Sequence, residues 1–300
     1  MTEPEEKPGR KPAWLKLKSP TPRQFRATGA LLDELDLRTV CREARCPNKG
    51  ECYASGTAAF LILGDVCTRA CRFCAVEGEV KAGVCALDED EPRRVAEAAR
   101  RLGLRHVVIT SVTRDDLPDG GAAQFAAAIA AVREATPKAT VEVLIPDLGG
   151  DEAALRAVLA ARPDVLNHNL ETVPRLYPQV RPQARYERSL ELLARAAAWA
   201  RSPGPDGARP LVKTGLMAGL GETATEVGDV LAAAAAAGVD AVTIGQYLQP
   251  NAGCLPVARY VTPEEFEGYE RRGAALGLTV VAAPFVRSSY RAGELLERGA

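Results

Sequence analysis

Residues 58–74 read Ala-Ala-Phe-Leu-Ile-Leu-Gly-Asp-Val-Cys-Thr-Arg-Ala-Cys-Arg-Phe-Cys, and this stretch decides the fold. An apolar run typical of a buried strand is followed at once by Cys67, Cys71 and Cys74, spaced C-x3-C-x2-C. Three thiolates from one loop can hold three irons of a four-iron cluster and leave the fourth iron open. An open iron can bind a substrate, so the spacing predicts a centre for chemistry beside a strand end.

Downstream of residue 58, short apolar runs alternate with amphipathic segments of helical length. The predicted strands are 58–63, 106–110, 141–145, 165–169, 211–216 and 239–245, with a seventh run at 278–282. The predicted helices are 92–102, 122–135, 151–161, 186–200, 223–237 and 262–275, after a short one at 25–37. Repeated strand-then-helix units predict an α/β fold with a parallel sheet, curled into a full or partial barrel. Function should gather at the carboxyl ends of its strands.

Helix ends carry local signals. Asp151 and Thr223 stand where N-cap residues belong, and Gly238 follows a run of helix formers as a stop.

Composition limits the functional classes. The chain has 300 residues, 47% of them hydrophobic, and its 38 basic and 39 acidic residues leave a net charge of −1. Charge this balanced does not favour nucleic acid as a partner. The amino terminus lacks the apolar core of a secretory signal, and no run approaches the ~18 apolar residues of a membrane span. We therefore expect a cytoplasmic protein that binds no membrane, in which clustered cysteines favour metal over disulfides.

A second group of cysteines lies upstream. We call Cys41, Cys46 and Cys52, spaced C-x4-C-x5-C, the N-terminal triad, and Cys67, Cys71 and Cys74 the loop triad. Structural zinc usually takes four ligands from paired C-x2-C knuckles or from cysteines with histidines. The two histidines, His106 and His168, lie far along the chain, and a ferredoxin run is absent. A zinc-stapled subdomain remains the alternative for the N-terminal triad.

The loop triad, with Phe73 before its last cysteine, resembles the signature of the radical S-adenosylmethionine (radical SAM) superfamily. With the N-terminal triad, it is similar to the lipoyl synthase family. That resemblance extends from about residue 11 to 291 through blocks in the family's order. The blocks are residues 114–121, 167–173, 213–223, 244–250 and the Arg-Ser-Ser-Tyr stretch at 287–290.

The resemblance implies a partial (β/α)6 TIM-like barrel whose open end is covered by extensions. It divides the chain into an N-terminal extension (1–57), the radical SAM barrel (58–283) and a C-terminal segment (284–300). It also implies two [4Fe-4S] clusters and S-adenosylmethionine as cofactors. The loop triad would hold the catalytic cluster, and the N-terminal triad an auxiliary cluster. Ser289 would be the fourth ligand of the auxiliary cluster, with Ser288 the less favoured alternative.

The resemblance further implies that S-adenosylmethionine lies across the strand ends. Its predicted neighbours, each of which could equally make ordinary loop hydrogen bonds, are Phe73, Thr110, Ser111, Asn169, Glu171, Gln246 and Leu248.

The implied activity belongs to lipoate biosynthesis and protein lipoylation. Two sulfurs would enter at C6 and C8 of an octanoyl chain on a lysine of a lipoyl carrier domain, with the auxiliary cluster as sulfur donor. A ferredoxin or flavodoxin would supply electrons, and an iron–sulfur carrier protein would repair the auxiliary cluster. The alternatives are another sulfur-inserting radical SAM enzyme, or an iron–sulfur electron carrier without catalysis.

Overall fold

The computed structural model describes residues 11–16, 22–55, 57–78, 86–202, 209–290 and 292–293. The strands are β1 (Arg38–Thr39), β2 (Ala59–Ile62), β3 (Val66–Cys67), β4 (Glu77–Gly78), β5 (His106–Ser111), β6 (Thr140–Leu144), β7 (Val165–Asn167), β8 (Leu211–Ala218), β9 (Ala241–Gln246) and β10 (Thr279–Ala283). The helices are α1 (Pro22–Glu34), α2 (Val40–Glu43), α3 (Lys49–Ala54), α4 (Glu91–Leu102), α5 (Ala122–Ala135), α6 (Glu152–Ala160), α7 (Tyr177–Val180), α8 (Tyr186–Ala200), α9 (Ala224–Ala236) and α10 (Pro263–Ala275). Short 3-10 turns occupy Leu148–Gly150 and Pro174–Leu176.

One sheet has the strand order β1-β2-β5-β6-β7-β8-β9-β10. Its seven strands from β2 onward run parallel, and β1 pairs antiparallel with β2. Among the described residues the edge strands β1 and β10 do not pair with each other, so the barrel stays open. Six strand-then-helix units followed by β10 confirm the predicted α/β partial barrel.

The predicted helix signals are confirmed. The Asp151 carboxylate accepts hydrogen bonds from the amides of Ala153 and Ala154, which would otherwise lack partners. Thr223 and Glu226 form a reciprocal capping box at the start of α9. Gly238, with φ of +81°, follows the last turn of that helix in the left-handed conformation that glycine tolerates best.

The fourth predicted strand is shorter than expected. It covers Val165–Asn167 instead of 165–169, and the chain after it bends at Glu171, whose φ is +67°. Glu171 then returns to the sheet as an isolated bridge to Leu216. This bend brings the polar side chains after β7 over the strand ends.

The two faces of the sheet differ in polarity. Val141 and Val143 of β6 lie in the apolar core, whereas the alternating Glu142 points to the opposite face. Lys213 of β8 and Asn167 of β7 contact Glu142, so this inner face carries buried polar groups. This part of the inner face is therefore polar, and a further segment of chain can bond to it.

The N-terminal extension is joined to the barrel by β1, whose Arg38 and Thr39 pair with Leu61 and Phe60 of β2. Within the described ranges, no helix has the length and apolar character needed to cross a bilayer.

Candidate active site

A cavity of about 570 Å³ opens at the carboxyl ends of the parallel strands. Both cysteine triads line it, and so does the Arg-Ser-Ser-Tyr stretch from the other end of the chain. The structure therefore brings together all eight residues predicted to bind or neighbour the irons. These are Cys41, Cys46, Cys52, Cys67, Cys71, Cys74, Ser288 and Ser289.

The loop triad is held by backbone hydrogen bonds to three separate segments. Strands β3 and β4 pair in parallel and close the two ends of the loop on each other. The Arg72 amide donates to the Val180 carbonyl (2.9 Å), and the Leu255 amide donates to the Arg72 carbonyl (2.8 Å). The loop therefore has a defined shape before any iron is considered.

Arg69, between the first two loop cysteines, anchors this loop through a buried ion pair. Its Nε and Nη2 donate to the two carboxylate oxygens of Asp115 at 2.7 Å each, and Nη2 also donates to Asp147 at 2.7 Å. Arg69 is 5% exposed and Asp147 is fully buried. Burial alone would raise the pKa of Asp147, but the Arg69 guanidinium outweighs it and lowers that pKa to about 2.

Two backbone amides point at the sulfur of Cys67. The amides of Arg69 and Thr113 each lie 3.4 Å from Sγ. Hydrogen bonds to cluster sulfurs are one of the features through which proteins set reduction potential. These two donors therefore stabilise negative charge on Cys67.

The N-terminal triad sits on two short helices. Cys41 lies in α2 and Cys52 in α3, and Cys46 falls in the turn between them. The Cys46 amide donates to the Cys41 carbonyl (3.2 Å), and Cys46 accepts in turn from Lys49 (3.2 Å). These turns direct three side chains from twelve residues of chain toward one cavity.

The C-terminal strap, defined here as residues 284–290, reaches this triad by two side-chain contacts. Asn48, which is 2% exposed, donates from Nδ2 to the Phe285 carbonyl at 2.7 Å. The Tyr290 hydroxyl donates to Glu51 at 2.8 Å. These contacts, on either side of the serines, tie the strap to the helix that carries Cys52.

The two serines of the strap differ in their bonding. The Ser288 hydroxyl donates to Asn169 Oδ1 at 2.9 Å. Within the described part of the chain, the Ser289 hydroxyl has no hydrogen-bond partner. The Ser288 hydroxyl is therefore occupied by a protein acceptor, and the preference for Ser289 over Ser288 as an iron ligand stays a prediction.

Two glycines make room for the strap on the inner face of the sheet. A Cβ on Gly215 would stand 2.7 Å from the Ser288 hydroxyl and 2.7 Å from Asn169 Oδ1. A Cβ on Gly245 would overlap the carbonyl oxygen of Val286. The strap can approach β8 and β9 this closely only where the side chain is absent.

The thiols of the two triads are chemically suited to iron–sulfur clusters. Among the described residues, no group of three or more His, Cys, Asp and Glu side chains is arranged to hold one metal ion. Cluster ligands each bind a different iron and so stand farther apart, and thiolates are the soft ligands that such clusters prefer. The zinc alternative for the N-terminal triad stays open.

Burial changes the acidity of these thiols. It raises the pKa of Cys41 to about 11 and of Cys52 and Cys74 to about 12 each, and it also raises the pKa of Cys71. A protonated thiol must release its proton before it binds iron. Metal loading should therefore release protons, and mildly alkaline conditions should favour it.

Six of the seven predicted S-adenosylmethionine neighbours line the cavity: Phe73, Thr110, Ser111, Asn169, Glu171 and Leu248. Asn169 Nδ2 donates to Glu171 at 3.0 Å, and burial raises the pKa of Glu171. Ser111 Oγ and His168 Nε2 are buried and have no hydrogen-bond partner in the described ranges. Burial also lowers the pKa of His168 to about 4, so its ring is neutral. Orphaned polar atoms on a cavity wall fit a polar ligand.

Gln246 is the exception, because it does not line the cavity. Its Nε2 donates to the carbonyls of Tyr247 and Arg259 at 3.0 Å each, and its Oε1 accepts from the Val261 amide at 2.8 Å. With its amide group occupied in this way, Gln246 fastens the chain after β9 to the start of α10.

Two cavity residues were missed by the sequence reasoning. Arg181 is buried, donates to the Asn169 carbonyl (2.9 Å), and lies close enough to Cys71 to stabilise its thiolate. Arg287, in the strap, is close enough to Cys46 and Glu171 to interact electrostatically with both. Arg181 follows a turn with no local motif, and only its folded position reveals its role. The Arg287 signal was present in the Arg-Ser-Ser-Tyr stretch but was attributed to the serines alone.

Comparison with solved structures supports the fold. Methylornithine synthase (PylB) superposes with a TM-score of 0.52 at 14% identity, covering 88% of this chain and 82% of that one. HydG, a maturase of the [FeFe]-hydrogenase, gives 0.57 at 14% identity over 89% of this chain and 65% of that one. At this level of identity the likeness concerns the fold alone.

Sequence relatives are much nearer. Residues 61–234 match the family model of the Radical SAM superfamily. A lipoyl synthase of Nitratidesulfovibrio vulgaris (strain Hildenborough) is 56% identical over 282 residues, covering 94% of this chain and 91% of that protein. A lipoyl synthase of Chlorobium limicola is 51% identical over 288 residues, covering 96% of this chain and 95% of that protein. With its two cysteine triads on one cavity, this chain belongs to the lipoyl synthase family of radical SAM enzymes.

Proposed function

We propose that this enzyme inserts sulfur at C6 and C8 of an octanoyl chain carried on a lysine of a lipoyl carrier domain. The observation that carries the proposal is the shared cavity, which both triads and Ser289 line. Two centres opening on one cavity suit a reaction in which a carbon radical formed at one is met by sulfur from the other.

We assign the loop triad to a [4Fe-4S] cluster with an open iron, and the N-terminal triad with Ser289 to the auxiliary cluster, which is a sulfur-donating substrate. When bound, the first cluster and S-adenosylmethionine supply a 5′-deoxyadenosyl radical. An alkoxide is a harder and poorer ligand for iron than a thiolate. Ser289 would therefore hold its iron weakly, as release of sulfide requires.

The apolar part of the cavity wall suits an octanoyl chain. Apolar side chains from β5, the chain after it, β6 and β8 contribute to the lining, and they exclude water from the reacting carbon. These residues are Val108, Val112, Leu144, Leu216 and Met217. A radical in a dry, apolar cavity has few other hydrogens to abstract.

Polar groups after β5 and β7 would orient S-adenosylmethionine. Asn169 and Glu171, bonded to each other, offer oxygens to a ribose or an ammonium group. Ser111 presents a hydroxyl that has no hydrogen-bond partner among the described residues. The aromatic ring of Phe73 lines the same space and suits the adenine. Leu248 and Thr110 complete this proposed set, from which we omit Gln246.

The partners follow from the chemistry. Each reductive cleavage needs one electron from outside, for which a ferredoxin or flavodoxin is suited, and a consumed auxiliary cluster needs an iron–sulfur carrier protein to rebuild it. The described cysteines form no disulfides, which fits a reducing compartment such as the cytosol. We retain the division of the chain at residues 57/58 and 283/284 as a proposal.

The test is a reconstitution under anaerobic conditions. Reduced protein with S-adenosylmethionine should release 5′-deoxyadenosine, and an octanoylated lipoyl domain should then be converted to lipoyl product. Cys74→Ala should abolish both products and lose about half of the iron. Cys52→Ala should lose a similar amount of iron and all lipoyl product, yet still release 5′-deoxyadenosine.

Cys254→Ala is the matched control, because Cys254 lines the cavity but donates its thiol hydrogen to the Cys74 carbonyl at 3.3 Å. It should retain full iron. An electron carrier would give neither product. Another sulfur inserter would cleave S-adenosylmethionine but leave the octanoyl chain unchanged.

A further inference from the structure

Lys213 carries a buried ammonium group beneath the strap. Its side chain is 1% exposed, and Nζ donates to Glu142 at 2.9 Å and to the backbone carbonyl of Ser288 at 2.6 Å. One cation therefore joins the inner face of the sheet to the residue that precedes Ser289.

The partner of Lys213 is held in place from several sides. Glu142 is fully buried, with His106 Nε2 at 3.4 Å from Oε2 and Asn167 Nδ2 at 3.4 Å from Oε1. Burial alone would raise the pKa of Glu142, but Lys213 and His106 outweigh it, and the net pKa is lowered. A fixed carboxylate on β6 thus limits where the Lys213 ammonium can stand.

The strap needs such an anchor, because the Gln246 amide of β9 bonds to the Pro284 carbonyl and, among the described residues, no strand pairs with the strap beyond it. Carbonyls of irregular backbone must find donors elsewhere. Phe285 receives its donor from Asn48, on the side of the N-terminal triad, while Ser288 receives its donor from the sheet. Among the described residues, Lys213 is the side chain that bonds to the strap backbone next to Ser289.

We propose that Lys213 is a positioning residue for the auxiliary cluster: its ammonium fixes the Ser288 carbonyl and so sets where the Ser289 hydroxyl stands relative to Cys41, Cys46 and Cys52. The proposal rests on the assignment of Ser289 as a ligand made above.

A simpler role would be to neutralise Glu142. A single and a double variant distinguish this role of Lys213 from the positioning role. Lys213→Met alone leaves the Glu142 charge buried without its main partner, and it should destabilise the whole fold. Lys213→Met combined with Glu142→Gln removes both charges. The stability lost in the single variant should then be regained, while the donor to the Ser288 carbonyl is still missing.

Hydrogen exchange on cluster-free protein tests this without reference to iron. In the double variant we expect the urea midpoint to return most of the way to wild type. Amides of residues 285–290 should nevertheless exchange at least tenfold faster than in wild type. Lys138→Met, which removes an exposed lysine, should change neither measurement. If the double variant recovers both the midpoint and slow exchange, Lys213 only balances charge and the proposal is wrong.

If that double variant does not fold, Lys213→Gln with Glu142→Gln is measured in the same way. Its amide pair keeps a hydrogen bond between the two positions but has a shorter reach toward Ser288.

Reconstituted protein supplies the second measurement. The double variant should keep the loop-triad cluster and full 5′-deoxyadenosine release, while its auxiliary cluster loses up to one iron and resembles that of Ser289→Ala by Mössbauer spectroscopy. If Ser289→Ala itself leaves the auxiliary cluster unchanged, the ligand assignment fails. The exchange result for the strap would then still stand by itself. An auxiliary cluster identical to wild type in the double variant would refute the positioning role.

Discussion

The Ser288 hydroxyl lies 2.9 Å from the side-chain oxygen of Asn169, to which it donates a hydrogen bond across 119 residues of sequence. Asn169 in turn donates to Glu171. A residue beside the proposed auxiliary-cluster ligand is thus bonded to the proposed nucleoside-binding residues.

Ser288→Ala removes this bond without removing the proposed ligand. Because one neutral hydrogen bond contributes about 1 kcal/mol, we expect S-adenosylmethionine to bind about fivefold more weakly. Equilibrium dialysis of the reconstituted protein would measure this, and iron content should stay at the wild-type level. A Ser288→Ala protein that loses auxiliary iron would instead reverse the roles of the two serines.

Ser289→Cys tests whether a weak ligand is needed for sulfur release. A thiolate binds iron more firmly than an alkoxide, so the auxiliary cluster should form but resist giving up sulfide. We expect wild-type iron content and 5′-deoxyadenosine release, with lipoyl product reduced at least tenfold. Mass spectrometry of the lipoyl domain would measure the product. Normal product from this variant would remove Ser289 from the mechanism.

Gly245→Ala should displace the strap. The added methyl group would overlap the Val286 carbonyl, and overpacking of this kind costs about 1–3 kcal/mol. We expect faster proteolysis near residues 284–290 and a loss of auxiliary iron, with the loop-triad cluster retained. Gly268→Ala is the control, because a Cβ there meets only the Arg271 guanidinium at 3.9 Å within α10. It should be neutral or stabilising by up to about 1 kcal/mol. Equal effects from both variants would contradict the close approach of the strap.

Acid should weaken the anchor of the cluster loop. The pKa of Asp147 is about 2 in the folded protein against an ordinary value of 3.8. The charged carboxylate therefore adds its full contribution to the free energy of unfolding above pH 3.8, and this contribution is lost as pH falls toward 2. The shift corresponds to about 2 kcal/mol. Urea unfolding of cluster-free protein, compared with Asp147→Asn at each pH, should show the difference in unfolding free energy shrinking over that range. A difference that does not change with pH would mean that Arg69 does not depend on the Asp147 charge.

Local patterns were sufficient for much of the fold. All seven predicted parallel strands formed, because apolar runs of β-branched and aliphatic residues are buried on the sheet whatever surrounds them. Asp151 and Thr223 were correct as caps, since a cap bonds only to amides two or three residues away. The length of β7 was wrong, and the chain after it bends at Glu171, where a bridge to β8 forms.

Residue spacing alone also identified the loop triad, whose three thiols belong to one eight-residue loop. Gln246 shows where such reasoning stops. Its place at a strand end was predicted correctly. Its side chain does not line the cavity, however, because it bonds to Arg259 and Val261 of the next loop.

The sequence by itself determined the parallel sheet, the two cysteine triads and the family, because each depends on neighbours along the chain. Only the tertiary structure decided that Ser289 lines the same cavity as the N-terminal triad, with a hydroxyl that has no hydrogen-bond partner in the described part of the chain. That outcome depends on contacts such as Asn48 with Phe285, which are 237 residues apart. It depends equally on a buried charge at Lys213 and on the absence of a side chain at Gly245. Such contacts form only when distant segments pack together, and no local pattern encodes their geometry.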